Sequence, residues 1–199
     1  MATTITSENL KICMLNFYLR HDNFEHNVRL IERLLELSVD QMPDIIVTPE
    51  LAVSGYCFYN ELGVGWITTE VPMKFPRWSR RSPVGLSSMK SNSFGGIRII
   101  CSKSNLYFNS AFFIDEPGEL LDTYHKVNVL QGWSRWSGLG KDVRTIAWRG
   151  YKIGLLIFIQ TYIARNIAGA LGRQGVDVLI SLAAWYHVAR HILAARGNW

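Results

Sequence analysis

A layered α/β sandwich is the fold class that this sequence predicts, and three observations carry the expectation. Strand-like segments outnumber helical ones, hairpins mix with β-α-β units, and several strands are apolar on both faces, as strands buried between layers must be. One domain, residues 1–199, follows from a length that suits a single full core and is short for two. Hydrophobic residues make up 48% and charged residues 19%, a balance that excludes disordered and fibrous classes.

The elements follow in chain order. Residues 11–16 (KICMLN) form a short apolar run and are read as a first strand. Over residues 22–37, Phe24, Val28, Ile31, Leu34 and Leu35 recur at helical spacing, which predicts an amphipathic helix. Residues 44–49 (DIIVTP) make a buried strand, and Gly55 closes the segment with turn chemistry. Residues 60–95 are rich in Ser, Pro, Gly and Trp without a sustained period, and are read as a long surface excursion. Residues 97–101 and 110–114 are strands joined by a polar loop, and EPGE at 116–119 marks a turn before a strand at 120–124. Residues 145–148 and 153–159 are strands hinged at Arg149-Gly150. A helix over 162–174 places Ile163, Ile167, Ala170 and Leu171 on one face, with Gly172 and Gly175 near its end. A buried strand at 176–182 and a short helix at 187–196 complete the chain, which contains no internal repeat.

Several function classes are excluded by composition. The longest apolar run, residues 153–159, falls far short of the roughly 20 residues of a spanning helix. MATTITSENLK has no charged region followed by an apolar one, so no secretory leader is expected; a cytosolic or organelle-matrix location follows by default, and the protein is read as cytoplasmic. Cys13, Cys57 and Cys101 have no metal-ligand spacing and are read as reduced thiols, Cys13 and Cys101 inside apolar runs as small buried hydrophobes. Neither a metal nor a cofactor is expected. The net charge of +5 suggests a polyanion partner, and PRWSRRSP at 76–83 interleaves Arg77, Arg80 and Arg81 with Trp78. No nucleic-acid-binding motif accompanies that cluster, so a solvated loop is the reading preferred over a nucleic-acid site.

Four segments, PDIIVTPELAVSGY (43–56), LYFNSAFFIDEPGELLDTYHKVNVL (106–130), YKIGLLIFIQTYIARNIAGALGRQGVDVLISLAAW (151–185) and the terminal ILAARGNW, together resemble the nitrilase or carbon-nitrogen hydrolase superfamily. The resemblance runs from about Leu10 to the last residue, with 60–95 unassigned. It implies an αββα four-layer sandwich, usually paired across an interface, and chemistry at nitriles, amides and carbamoyl groups. In that chemistry a cysteine thiolate attacks carbon, a glutamate moves its proton and a lysine stabilises the tetrahedral intermediate.

Carried onto this chain, Glu50 matches the base and Lys126 in TYHKVNVL the lysine; the alternatives are a solvated strand-end carboxylate and an ordinary surface lysine. Phe158 stands where the resemblance places the nucleophile. Gln160 replaces the acid that usually follows, Ala164-Arg165 replaces a Pro-Glu pair, and Ser134 corresponds to a second glutamate. Cys57 lies nearest to Glu50 in the chain, but in the loop after that strand and not at the strand elbow. The resemblance also implies further residues beyond ARGNW, so the fold is expected to be C-terminally short. An incomplete second sheet would then leave an exposed edge, which predicts a homo-oligomer or a related subunit as partner. The expected function is a carbon-nitrogen hydrolase domain without its nucleophile, a pseudoenzyme for binding or assembly with a small amide or nitrile as ligand. The alternatives are an active hydrolase using Glu50 and Lys126 with a nucleophile not evident in the sequence, and a basic nucleic-acid-binding module.

Overall fold

The computed structural model describes residues 10–20, 23–55, 92–101, 106–114, 120–128, 137–158 and 165–184. The described residues form two sheets. The first has the order β1 (Ile12–Met14), β2 (Ile45–Val47), β3 (Asn92–Cys101), β4 (Leu106–Ile114) and β5 (Leu120–His125). Its first three strands run parallel, and β3, β4 and β5 are antiparallel neighbours. The second sheet holds β6 (Thr145–Trp148), β7 (Tyr151–Ile157) and β8 (Val178–Leu182), with β7 antiparallel to β6 and parallel to β8. Helix α1 is Phe24–Ser38 and α2 is Arg165–Arg173.

Side-chain alternation along the strands builds the layers. Ile45, Val47, Ala111, Phe113 and Tyr124 of the first sheet pack with Ile153, Leu155, Ile157, Ile180 and Leu182 of the second, forming the core between the sheets. Ile46, on the opposite face of β2, meets Ile31 and Leu35 of α1. Leu156, on the opposite face of β7, meets Ile167 and Leu171 of α2. Helix, sheet, sheet and helix thus stack in that order. Strand β7 is buried on both faces from Ile153 to Ile157, which is why its sequence is an unbroken apolar run.

Local chemistry fixes the ends of the elements. Asn23 caps α1, its Oδ1 accepting the backbone N–H of His26 at 3.0 Å. The hairpin between β6 and β7 turns on Arg149 (φ 46°) and Gly150 (φ 82°), both left-handed as a two-residue type I′ turn requires. Gly175 (φ 68°) ends the turn after α2.

Most expected elements are found with altered bounds. The strand expected at 97–101 begins earlier, at Asn92, so residues 92–95 of the excursion read over 60–95 are strand, and residues 60–91 lie outside the described residues. The register of β3 against β4, with Ser93 opposite Ile114 and Cys101 opposite Leu106, accounts for the extension: pairing supplies what the glycine-containing SFGG segment lacks in strand propensity. Strand β7 stops at Ile157, not 159, and Phe158 occupies a turn. Cys13 is only partly buried, because among the described residues β1 is an edge strand, with Met14 77% exposed. The 76–83 cluster, the 187–196 helix, Cys57, Ser134, Gln160, Ile163 and Ala164 lie outside the described residues, as do the side chains of Cys101 and Arg165.

Leu155 is 1% exposed at the centre of the inter-sheet core. Leu155→Ala is therefore expected to destabilise the domain by about 2–5 kcal/mol, read as a lower urea midpoint at unchanged slope. A loss within the range of surface substitutions would place Leu155 outside the core.

Candidate active site

Glu50 follows β2 at a sharp change of chain direction. Leu51, next to it, is held in the left-handed region at φ 49° and is fully buried. That conformation costs a non-glycine residue about 1–2 kcal/mol, and the Gly55 N–H donated to the Leu51 carbonyl at 2.8 Å closes the turn. The Glu50 N–H donates to the carbonyl of Ala183, just beyond β8, at 3.4 Å. Glu50 thus sits where β2 of one sheet and β8 of the other both end, the side of parallel strands at which α/β sheets place their sites.

Lys126 enters from β5. Its N–H donates to the Asn109 carbonyl on β4 at 2.8 Å, and its carbonyl accepts the Gly140 N–H at 2.9 Å. Gly140 is required by space: a Cβ there would lie 2.1 Å from the His125 carbonyl oxygen. The side chain of Lys126 reaches inward, and its Nζ donates to Glu50 Oε1 at 2.8 Å. Both side chains are buried, 6% and 0% exposed. A solvated strand-end carboxylate and a surface lysine, the alternatives left by the sequence, therefore do not describe these two residues.

Among the described residues, two further groups lie beside the pair. Asn109 Nδ2 donates to the same Oε1 at 2.7 Å. Phe158, half-buried one residue beyond β7, donates its N–H to the Leu182 carbonyl at 2.7 Å, and its ring centroid lies 5.9 Å from Lys126 Nζ, within cation–π reach. The sequence had named Glu50, Lys126 and Phe158, and the fold gathers all three. It had not named Asn109 or Gly140. Their signals were present: a polar residue among Ala111 and Phe113 on the inward face of β4, and a Gly-x-Gly pair in an otherwise polar loop.

His125, adjacent in the chain, faces away from the pair. Its Nδ1 shares a 2.7 Å hydrogen bond with Ser110 Oγ, and its ring stacks on Phe108 at 4.5 Å. Burial, and secondarily the Arg144 guanidinium, hold it below the usual histidine range. Cys13 packs with the α1 cluster on the other side of β2. Among the described residues no group of three His, Cys, Asp or Glu could hold a metal ion.

A buried carboxylate can take a proton and a buried ammonium can stabilise a developing oxyanion, so the pair can serve both tasks of acyl or iminoyl transfer. A phenyl ring supplies no lone pair for attack on carbon.

The family model for carbon-nitrogen hydrolases matches residues 12–196, and the chain belongs to that family. Among curated proteins none matches by sequence. Among solved structures, a carbon-nitrogen hydrolase from Helicobacter pylori G27 superposes with a TM-score of 0.75 at 16% identity, over 94% of this chain and 66% of that one. An amidase from Nesterenkonia sp. AN1, with acrylamide added at its active-site cysteine, gives 0.72 at 16% identity over 88% and 67%. A glutamine-dependent NAD+ synthetase from Acinetobacter baumannii gives 0.69 at 19% identity over 92% of this chain and 34% of that one. These likenesses establish a shared nitrilase-type fold. The chain spans about a third to two thirds of the length of these structures. No helix among the described residues is long and apolar enough to cross a membrane.

Because the Glu50–Lys126 pair is buried, removing one partner strands the other charge. Lys126→Met is expected to destabilise the fold by about 3–5 kcal/mol. Adding Glu50→Gln should recover part of that loss in denaturant titrations, and additive losses in the double variant would show that the two do not interact.

Proposed function

We propose that this chain is a carbon-nitrogen hydrolase domain that has kept the base and the cation of its pocket and lost the nucleophile, and that it serves in binding or assembly. The observation that carries this reading is the buried contact of Lys126 Nζ with Glu50 Oε1 at 2.8 Å, with the Phe158 ring 5.9 Å from the same ammonium. In the Nesterenkonia amidase the group that takes up acrylamide is a cysteine. The matching position here is assigned to Phe158 by sequence order, after an apolar strand and ahead of the helix. A small amide or nitrile is the ligand such a pocket suits: the carboxylate accepts N–H donors and the ammonium faces a carbonyl or nitrile end. The protein is read as a cytoplasmic one that pairs with a second copy or a related subunit through the outward face of α2. In support, among the described residues a Cβ on Gly172 would meet nothing within 4 Å, and Leu179 on β8 is 43% exposed.

The second reading, an active hydrolase with its nucleophile elsewhere, is favoured only by the intact Glu50–Lys126 pair. The assay that separates the two uses acetamide, propionitrile and an N-carbamoyl amino acid, with peptide mapping of residues 151–175 to verify Phe158. Turnover is expected at background, since a positioned base alone contributes about 10²- to 10⁴-fold. Phe158→Cys alone is expected to fall far short of an amidase, because groups that act as a unit are strongly non-additive and Gln160, Ala164, Arg165 and Ser134 stay unchanged. Turnover by the unaltered chain that Glu50→Gln abolishes, or a substrate adduct on Cys13, Cys57 or Cys101, would overturn the proposal. Self-association has its own check: sedimentation at tens of micromolar is expected to show a dimer or larger species, and a clean monomer would remove the assembly role.

A further inference from the structure

Asn109 joins three parts of the candidate site at once. Its Nδ2 donates to Glu50 Oε1 at 2.7 Å, its carbonyl accepts the Lys126 N–H at 2.8 Å, and its own N–H donates to Ser137 Oγ at 3.1 Å. In the chain Ser137 lies shortly before Gly140, whose N–H holds the Lys126 carbonyl. The carboxamide is 2% exposed, and among the described residues its Oδ1 accepts no hydrogen bond. Turning the amide over would set two acceptor oxygens against each other, so Oε1 of Glu50 dictates the orientation. Among the described residues the side chain of Asn109 gives its hydrogen bond to the carboxylate, not to a neighbour on its own strand. Glu50 Oε1 thereby receives two donors, one charged and one neutral, that fix it on the side facing Lys126.

We propose that Asn109 is the positioning residue of this pocket: its carboxamide sets the direction of the Glu50 carboxylate, and its backbone carbonyl sets the height of Lys126 along β5. The inference rests on Glu50 and Lys126 being the polar pair of the site. Its test needs neither ligand nor turnover. In a Phe158→Cys background the introduced thiol reports the local field, because alkylation by iodoacetamide proceeds through the thiolate. The rate at position 158 is followed against pH by peptide mass mapping, which separates it from Cys13, Cys57 and Cys101.

Asn109→Leu removes the donor at similar volume, so the carboxylate is less compensated and freer to turn toward position 158. Thiolate formation is then opposed, and the profile should move to higher pH, with alkylation about threefold slower at neutral pH, equivalent to about half a pH unit. Asn109→Ser, too short to reach Glu50, should give the same displacement. Ser110→Ala, on the same strand but the opposite face, should give none. Superposition of the Asn109 profiles on the parent overturns the proposal, as does an equal displacement from Ser110→Ala. Loss of a cooperative thermal transition in both Asn109 variants while Ser110→Ala folds would make Asn109 a structural residue and overturn it too. A displaced profile in a chain later shown to hydrolyse amides would refute the functional reading and leave the role of Asn109 standing.

Discussion

The salt bridge between Glu50 and Lys126 is the constraint on which the arrangement of this domain depends. Two charges 76 residues apart in sequence meet at 2.8 Å in a site closed to solvent. Taking both out of water is expensive, and their attraction offsets that cost only when geometry and supporting hydrogen bonds are good. The surroundings supply both. Asn109 adds a donor to the carboxylate, Gly140 and Asn109 hold the lysine backbone on either side, and Leu51 accepts a left-handed conformation to turn Glu50 inward. Replacing a buried ion pair by apolar residues of similar volume is often neutral or stabilising, so stability alone does not account for this one.

The rest of the molecule serves that placement. The inter-sheet core, from Ile45 and Phe113 to Leu155 and Leu182, brings the ends of β2 and β8 together, and the hydrogen bond from Glu50 to Ala183 crosses from one sheet to the other. The meeting of these groups is a consequence of sandwich packing, since Asn109 comes from β4 while Glu50 and Lys126 follow β2 and β5. Asn109 ties them, because its side chain and backbone act on different partners. Phe158 lies at the same end of the sandwich, and its ring gives the ammonium an apolar neighbour with a negative face. Such a contact stabilises a cation without offering it chemistry.

Much of the layering was legible in the sequence because it rests on local period. The apolar run around Ile45 to Val47, the 3.6-residue spacing in α1 and the Arg149-Gly150 turn are properties of adjacent residues, and they appear where the pattern put them. Element ends were less legible. Strand β3 begins at Asn92 because pairing with β4 overrides the weak propensity of SFGG, and β7 stops at Ile157 although the apolar run goes on.

The identities of Glu50, Lys126 and Phe158 were fixed by the sequence, through segments that resemble a family whose model covers residues 12–196. With them comes the absence of a thiol at position 158, which no folding can alter. Only the tertiary structure decided that the carboxylate and the ammonium are buried against each other, that Asn109 belongs with them and that Gly140 has no room for a side chain. Burial and long-range hydrogen bonds depend on which strand ends meet. That is settled by the packing of two sheets and leaves no period in the chain to read.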